Sequence, residues 1–359
     1  MVSERIKMAN KFKLLFGIIG LCAIAAFSSS LFFGEETTKK SQRINGFNLV
    51  APPKPFTIDS LENVKKVGAN WVAIVPYAFC NAKTAEITFD HPRQWWGEKP
   101  EGVIESIKMA KSLDLKIMLK PHLWVGGQGW AGDLEFESDS LWQVFEQQYI
   151  EYIGAFAKIA DSMNIELYCI GTEVKNSTRN RNEFWLSLIE DTRNNFSGQL
   201  TYAANWDEYD QIIFWDKLDY IGVDAYFPLS DAKNPSKQGL IDAWEQPKKQ
   251  MQQTSEKFQK QILFTEFGYE SIDYNAMGHW KLSKDSLSVN FENQKTAFEA
   301  LFTSLNSEEW WIGGFIWKWY LNKDGLTART IKAYTPQNKP ALKAIESEFK
   351  HNSLISLEP

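Results

Sequence analysis

Two stretches of this chain end an apolar run on the same pair of residues. Leu167-Tyr168-Cys169-Ile170-Gly171 leads into Thr172-Glu173, and Ile262-Leu263-Phe264 leads into Thr265-Glu266. A short, almost continuous hydrophobic run is how a strand buried on both faces of a parallel sheet reads. A carboxylate at the C-terminal mouth of such a strand stands where open α/β sheets and barrels keep their chemistry. Two of them at matching strand ends suggest an acid and a nucleophile. Such a pair cleaves a glycosidic bond with retention when its carboxyl groups lie about 5–5.5 Å apart. One Glu after a strand is better read as a solvated loop residue or half of an ion pair. Two at matching ends, in a mouth rich in Trp, favour catalysis.

The elements that must position them alternate between strand and helix from residue 44 onward. Strands are expected at Ile44–Leu49, Asn70–Tyr77, Leu115–His122, Ile165–Gly171, Gln199–Trp206, Leu218–Tyr226, Gln261–Thr265 and Gly313–Trp319. Helices are expected at Asp59–Val67, Glu101–Leu113, Ser140–Met163, Asn182–Asn195, Leu240–Phe258, Phe291–Leu305 and Ala341–Phe349. Val103, Ile104, Ile107, Ala110 and Leu113, for example, share one helical face, and Gly68 follows Val67 as a C-terminal stop. Eight strands alternating with helices predict a single-domain α/β protein, a (β/α)8 TIM barrel over residues 44–359. A doubly wound open sheet would carry a Gly-rich phosphate turn after its first strand, and Ala51-Pro52-Pro53-Lys54-Pro55 is the wrong chemistry for one. On this count Glu173 follows strand four and Glu266 follows strand seven, so both face one mouth.

Composition narrows the partners. Formal net charge is −6, and no basic run occurs beyond the N-terminus, so nucleic acid is not an expected partner. The four histidines show no metal-ligand spacing, and no metal is expected. Of three cysteines, Cys80 and Cys169 read as small apolar packing residues on or near strands, and Cys22 falls in the N-terminal apolar segment. Aromatic residues make up 14% of the chain, with Trp95, Trp96, Trp124, Trp130, Trp206, Trp317 and Trp319 near strand ends, where rings can stack on sugars.

Arg5, Lys7, Lys11 and Lys13 precede an uncharged run from Leu14 to Phe33. That run is about as long as the roughly 20 residues a membrane-spanning helix needs, although Ser28, Ser29 and Ser30 suit a signal peptide better. Residues 1–33 are therefore expected to be a signal peptide or N-terminal membrane anchor, an uncleaved anchor being slightly favoured, and residues 34–43 a linker. Basic residues ahead of the run predict export, with the bulk of the chain outside the cytoplasm, membrane-anchored or secreted. Leu21 before Cys22 argues against a lipid anchor.

Glu after strand four and Glu after strand seven resembles the (β/α)8 retaining glycoside hydrolases of clan A. Within that clan, Gly171-Thr172-Glu173, Phe264-Thr265-Glu266-Phe267-Gly268-Tyr269 and Gly314-Phe315-Ile316-Trp317 are most similar to family 113, the β-mannanases. The resemblance spans residues 45–345. It implies retaining hydrolysis of β-1,4-mannosidic bonds in mannan or manno-oligosaccharides, by an endo-acting enzyme, with Glu173 as acid/base and Glu266 as nucleophile. Many clan members carry Asn before the acid/base, where it contacts the substrate 2-hydroxyl. Thr172 occupies that position here, so 2-hydroxyl recognition must differ or come from elsewhere.

The remaining candidates are weighed one by one. Tyr226 either donates to the Glu266 carboxylate or is an interface tyrosine. His122 binds a sugar hydroxyl, tunes Glu173 or is structural. Asn205 and Trp206 contact sugar or only end strand five, and Asp224 orders the mouth or forms an ion pair. Trp317 is the strongest platform candidate, with at most some of Trp317, Lys318 and Trp319 facing the cleft. Trp124 and Trp130 line more distant subsites or pack their loop. Two carboxylates and water suffice for this chemistry, so no cofactor is expected, and the chain is expected to act as a monomer. A clan A hydrolase of another β-glycan (glucan or xylan), a non-catalytic glycan-binding barrel and a two-lobed substrate-binding protein are the rival readings.

Overall fold

A computed structural model describes residues 42–127, 129–278, 286–321 and 326–355. The expected leader at 1–33 and nearly all of the linker at 34–43 lie outside the described residues.

In chain order the elements are β1 (Ile44–Val50), α1 (Asp59–Lys66), β2 (Trp71–Val75), β3 (Tyr77–Asn81), β4 (Ile87–Thr88) and α2 (Pro100–Ser112). Then come β5 (Lys116–Leu119), β6 (His122–Gly126), α3 (Asp139–Ser162), β7 (Leu167–Thr172), α4 (Lys175–Asn180) and α5 (Asn182–Asn195). The chain continues through β8 (Gln199–Asn205), β9 (Ile221–Asp224), α6 (Lys237–Phe258), β10 (Ile262–Phe267), α7 (Phe291–Leu305), β11 (Trp311–Tyr320) and α8 (Pro340–Ile355). Strands β1, β2, β5, β7, β8, β9, β10 and β11 pair in parallel in that order, and β11 closes on β1. This is the expected (β/α)8 barrel.

Its core has two layers. Ile44, Trp71, Ala73, Val75, Met118, Leu167, Cys169, Ala203, Leu263 and Phe315 fill the barrel interior. The alternate residues of the same strands, such as Val72, Ile74, Tyr168 and Ile170, point outward and pack with the helices in a second, larger cluster. Cys80 and Cys169 are buried free thiols, as their apolar settings suggested.

Several expectations need correction. The second and third strands do not run through to Tyr77 and His122. Each is broken by a proline, at Pro76 and Pro121, which has no N–H to give the ladder. Beyond those breaks the chain leaves the barrel, and β3 and β6 pair in parallel, with β4 antiparallel on the far side of β3. Trp124 is thus on a strand of this small sheet instead of in a loop. Glu266 lies inside β10, one residue before its end. The short helix α4, directly after Glu173, has no apolar periodicity to announce it.

The seam between β1 and β11 allows a direct test. Gly313 has φ +104°, and a Cβ there would stand 2.3 Å from the Ile44 carbonyl oxygen. Gly313→Ala combines that clash with a backbone region closed to L-residues. Its unfolding free energy, read from denaturant titration, should fall by about 1–3 kcal/mol.

Candidate active site

Three of the barrel strands carry an extra residue near the C-terminal mouth. On β7, Cys169 and Thr172 oppose Thr201 and Ala203 of β8, so three steps match two. On β10, Phe264 and Glu266 oppose Val223 and Asp224 of β9, so two steps match one. On β11, Trp317 and Trp319 oppose Asn48 and Leu49 of β1. A bulge bends its strand and re-aims the side chains beyond it. Here the bulges sit just before Glu173, at Thr265-Glu266 and at Lys318.

The consequence on β11 is visible. Trp317 and Trp319 are two apart and would share a face on a regular strand. Instead Trp319 is buried edge-on against Phe47 in the helix-facing core, with centroids 5.0 Å apart. Trp317 stays at the mouth, its ring parallel to His122 at 5.8 Å. The Lys318 ammonium lies 4.9 Å from the Trp317 ring centroid.

Glu266 is held from several directions. Lys120, which follows β5 and is completely buried, pairs with Oε1. Tyr226 donates its hydroxyl to Oε2 at 2.8 Å. His122 brings Nε2 to within 3.4 Å of Oε1. The same ammonium lies 3.6 Å from Asp224 Oδ1, which also accepts a 2.7 Å hydrogen bond from the Thr265 hydroxyl. Burial alone would raise the Glu266 pKa, but Lys120 and His122 outweigh it and pull it down to about 2. Asp224 goes the other way, to about 7, through burial and the charge of Glu266, against the pull of Lys120. Burial and Lys120 together lower His122 to about 4, so its ring is neutral near pH 7.

Glu173 has a different environment. It has φ +51°, a left-handed conformation uncommon for a residue with a side chain. Its N–H donates to the Ala203 carbonyl at 2.8 Å, and the next N–H, of Val174, donates to the Tyr202 hydroxyl at 3.0 Å. That hydroxyl in turn donates to the buried Glu208 carboxylate, which also takes a hydrogen bond from Thr178 on α4. The turn is therefore fixed from below by a buried polar network. On the cleft side the Glu173 Oε2 accepts the Trp130 indole N–H at 2.6 Å. Burial, Asp224 and Glu266 all push the Glu173 pKa well above the ordinary value, against the pull of Trp130 and Lys120. The two carboxyls are thus pushed in opposite directions, Glu266 toward the ionised form and Glu173 toward the protonated one, which separates base from acid in a shared site.

The sequence candidates fall into three groups. Glu173, Glu266, Tyr226, Asp224, His122 and Trp317 converge, with His122 on the Glu266 side because β6 aims it there, and not on Glu173. Asn205 ends β8, but its side chain closes its own turn: Nδ2 donates to Asp207, and Oδ1 accepts the Trp206 N–H. Trp206 packs edge-on against Phe227. Trp124 is outside the cluster on β6 and 56% exposed. Trp130, expected to serve a remote subsite or pack its loop, contacts Glu173 directly. Lys120 and Thr265 were missed. A lysine at a strand end was the available signal for the first, and the bulge that brings Thr265 onto Asp224 leaves none. Among the described residues no group of three or more His, Cys, Asp and Glu side chains is arranged to hold a metal ion.

Lys120→Gln tests the electrostatic account. An ammonium beside a carboxylate favours its ionised form, so removing it must raise the carboxylate pKa. The Glu266 carboxyl should titrate about 1–3 pH units higher by carbon NMR. Unfolding free energy should fall by about 3–5 kcal/mol, because two buried acids lose their common partner.

One family model matches most of the chain, and solved structures share its fold. The model of Glycoside Hydrolase Family 113 matches residues 53–339. A family 113 β-1,4-mannanase of known structure is 24% identical, with TM-score 0.75 over 86% of this chain and 99% of its own. The family 113 β-mannanase from Alicyclobacillus acidocaldarius, in complex with ManMIm, is 21% identical, with TM-score 0.77 over 88% of this chain and 100% of its own. The β-glucuronidase of Ruminococcus gnavus is 15% identical, with TM-score 0.58 over 86% of this chain and 50% of its own. Those identities establish a common fold. None of the curated proteins matches the sequence.

Proposed function

The chain belongs to glycoside hydrolase family 113, and from that premise we propose that it hydrolyses β-1,4-mannosidic bonds in mannan or manno-oligosaccharides with retention of configuration. The observation that carries the mechanism is the opposed tuning of Glu266 and Glu173. The ionised Glu266 carboxylate attacks the anomeric carbon while the protonated Glu173 gives its proton to the departing glycosidic oxygen. The C1–O bond to the leaving sugar breaks, and a glycosyl ester with Glu266 forms. Water then attacks C1, Glu173 takes its proton, and Glu266 leaves as the carboxylate.

The surrounding residues have parts in this scheme. Lys120, Tyr226 and His122 fix the orientation of Glu266 and stabilise it as an anion, which also makes it a competent leaving group in the second step. Trp130 holds the Glu173 carboxyl in place. Trp317 provides an aromatic face at the point of cleavage. Endo action and a monomeric state belong to the same reading, the long substrate and the self-contained site favouring both. So does export, which rests on Arg5 to Lys13 and the uncharged run Leu14 to Phe33.

The test is a product assay on β-mannan, glucomannan, cellulose and xylan with the wild type, Glu173→Gln and Glu266→Gln. Mannan cleavage should be lost by more than about 10⁴-fold in Glu266→Gln and by about 10²–10⁴-fold in Glu173→Gln. On an aryl mannoside, whose leaving group needs no proton, the second variant should form the glycosyl-enzyme readily and release a burst of the phenol, with turnover still slow until an external nucleophile such as azide takes the place of base-activated water. Cleavage of cellulose or xylan alone would keep the mechanism and discard the substrate. Undiminished mannan cleavage in Glu266→Gln would remove that residue from the role given to it.

A further inference from the structure

Aromatic side chains are abundant in this protein, and nearly all are covered. Among the described residues the exposed aromatic side chains are Phe79 (40%), Trp95 (41%) and Trp124 (56%). They are not scattered. Phe79 on β3 is directly paired with Trp124 on β6, and on its other side with Thr88 on β4, so the three form one row across the small sheet. Trp95 lines an open groove of about 520 Å³ together with Phe79, Thr88, Arg93 and Gln94.

That row continues from the catalytic cluster. Side chains two apart on a strand share a face. The pair one step inward on the same face is Tyr77 and His122, and their rings meet edge-on at 5.0 Å. His122 lies against Trp317 and beside Glu266. From the bond-cleaving groups this face of the sheet therefore runs outward from the covered pair Tyr77 and His122 to the exposed pair Phe79 and Trp124, an advance of about 6.6 Å per pair. The opposite face of β3 and β6, with Ala78, Cys80, Leu123 and Val125, is buried in the core. The face on which the outer rings stand is thus fixed by packing on the side away from solvent.

We propose that this face is a distal subsite that holds a β-1,4-linked hexose chain extending out of the catalytic cleft. Flat rings on a rigid sheet suit the apolar faces of pyranose units. The Thr88 hydroxyl and the Arg93 side chain along the groove offer hydrogen-bonding groups for the hydroxyl rims. Gln94 is itself fixed by donating to the Tyr77 carbonyl at 2.8 Å, which ties the loop bearing Trp95 to the sheet. The inference rests on the hydrolase reading above and adds a prediction that reading does not make, namely that chain length matters at residues remote from the carboxylates.

The experiment compares kcat/KM for the wild type and a Phe79→Ala/Trp124→Ala variant on manno-oligosaccharides from mannobiose to mannohexaose. The expected result is a loss that grows with length, about tenfold or more greater on mannohexaose than on mannotriose. Trp124→Tyr, which keeps a ring, should retain most of the long-chain activity and guards against a folding defect. A loss equal at all lengths, or none, overturns the subsite. So does a wild-type dimer by sedimentation that the variant dissociates while length dependence is intact, since the face would then belong to a second copy. If the wild type cleaves only cello-oligosaccharides, the substrate reading falls and the same comparison in that series decides the subsite. A wild type that cleaves neither series defeats the hydrolase reading directly, and the subsite with it.

Discussion

A single ammonium group underlies this site. Lys120 is fully buried and stands between two buried carboxylates, those of Asp224 and Glu266, with Glu173 close enough for its charge to be felt. Without a cation, gathering two buried acids and a half-buried third would protonate most of them, since each charge is costly away from water and repels the others. One positive charge cannot serve all three equally. It contacts Glu266 most closely, and the acids separate accordingly: Glu266 low, Asp224 raised, Glu173 well above the ordinary range. The asymmetry that two-carboxylate chemistry requires thus depends on where one lysine side chain ends, with His122 acting on the same carboxylate. Reaching that position is a matter of strand direction, because Met118 already fills the barrel interior and Lys120, two residues on, projects the same way.

The second constraint is geometric. A regular strand sends alternate side chains to opposite faces, which would leave Thr265 and Glu266 unable to share a site. The bulge on β10 removes that conflict, so that Thr265 reaches Asp224 while Glu266 reaches Lys120 and Tyr226. The bulge on β7 precedes the left-handed Glu173, and the one on β11 parts Trp317 from Trp319. Left-handed backbone at a residue with a side chain costs stability, and at Glu173 it is offset by fixed partners: the Ala203 carbonyl, the Tyr202 hydroxyl and, behind it, Glu208. Glu208 is buried and its own pKa raised by that burial. It touches none of the groups to which we assign catalysis, and its effect on them is through the backbone of the turn.

These constraints explain what could be read from the chain alone. The eight apolar runs and the helical periodicities between them gave the barrel, because strand burial on both faces and helix amphipathicity are local properties of composition. Strand-end glutamates were legible for the same reason. Bulges were not, since an extra residue in a strand leaves no compositional trace until its partner is known. Trp130 was named as a remote or packing residue because its loop gives no indication of which way it folds back. Lys120 stands at a strand end in the sequence, but only the barrel interior shows its partners. The prolines at 76 and 121 end neighbouring barrel strands at the same level, so the two segments leave side by side.

That parallel departure connects the fold to the cleft. Lys120 and His122 flank Pro121, and both contact the Glu266 carboxylate. An uninterrupted β5 would have put residues 120 and 122 on one line along the barrel axis. The break instead keeps Lys120 with the interior and hands His122 to a second sheet, where the His122 N–H bonds to the Pro76 carbonyl at 2.8 Å. The carboxylate is then approached by a cation from within the barrel and by a neutral ring from the mouth. Stabilising an anion needs the first, and leaving a face open to a sugar needs the second not to be another charge. Burial and Lys120 keep His122 neutral, so the group that fixes Glu266 from inside also sets the protonation state of the residue that borders it outside. The same sheet places Phe79 and Trp124 beyond His122, and a proline that interrupts one strand therefore shapes both the charge balance at the carboxylate and the surface over which a chain would leave it.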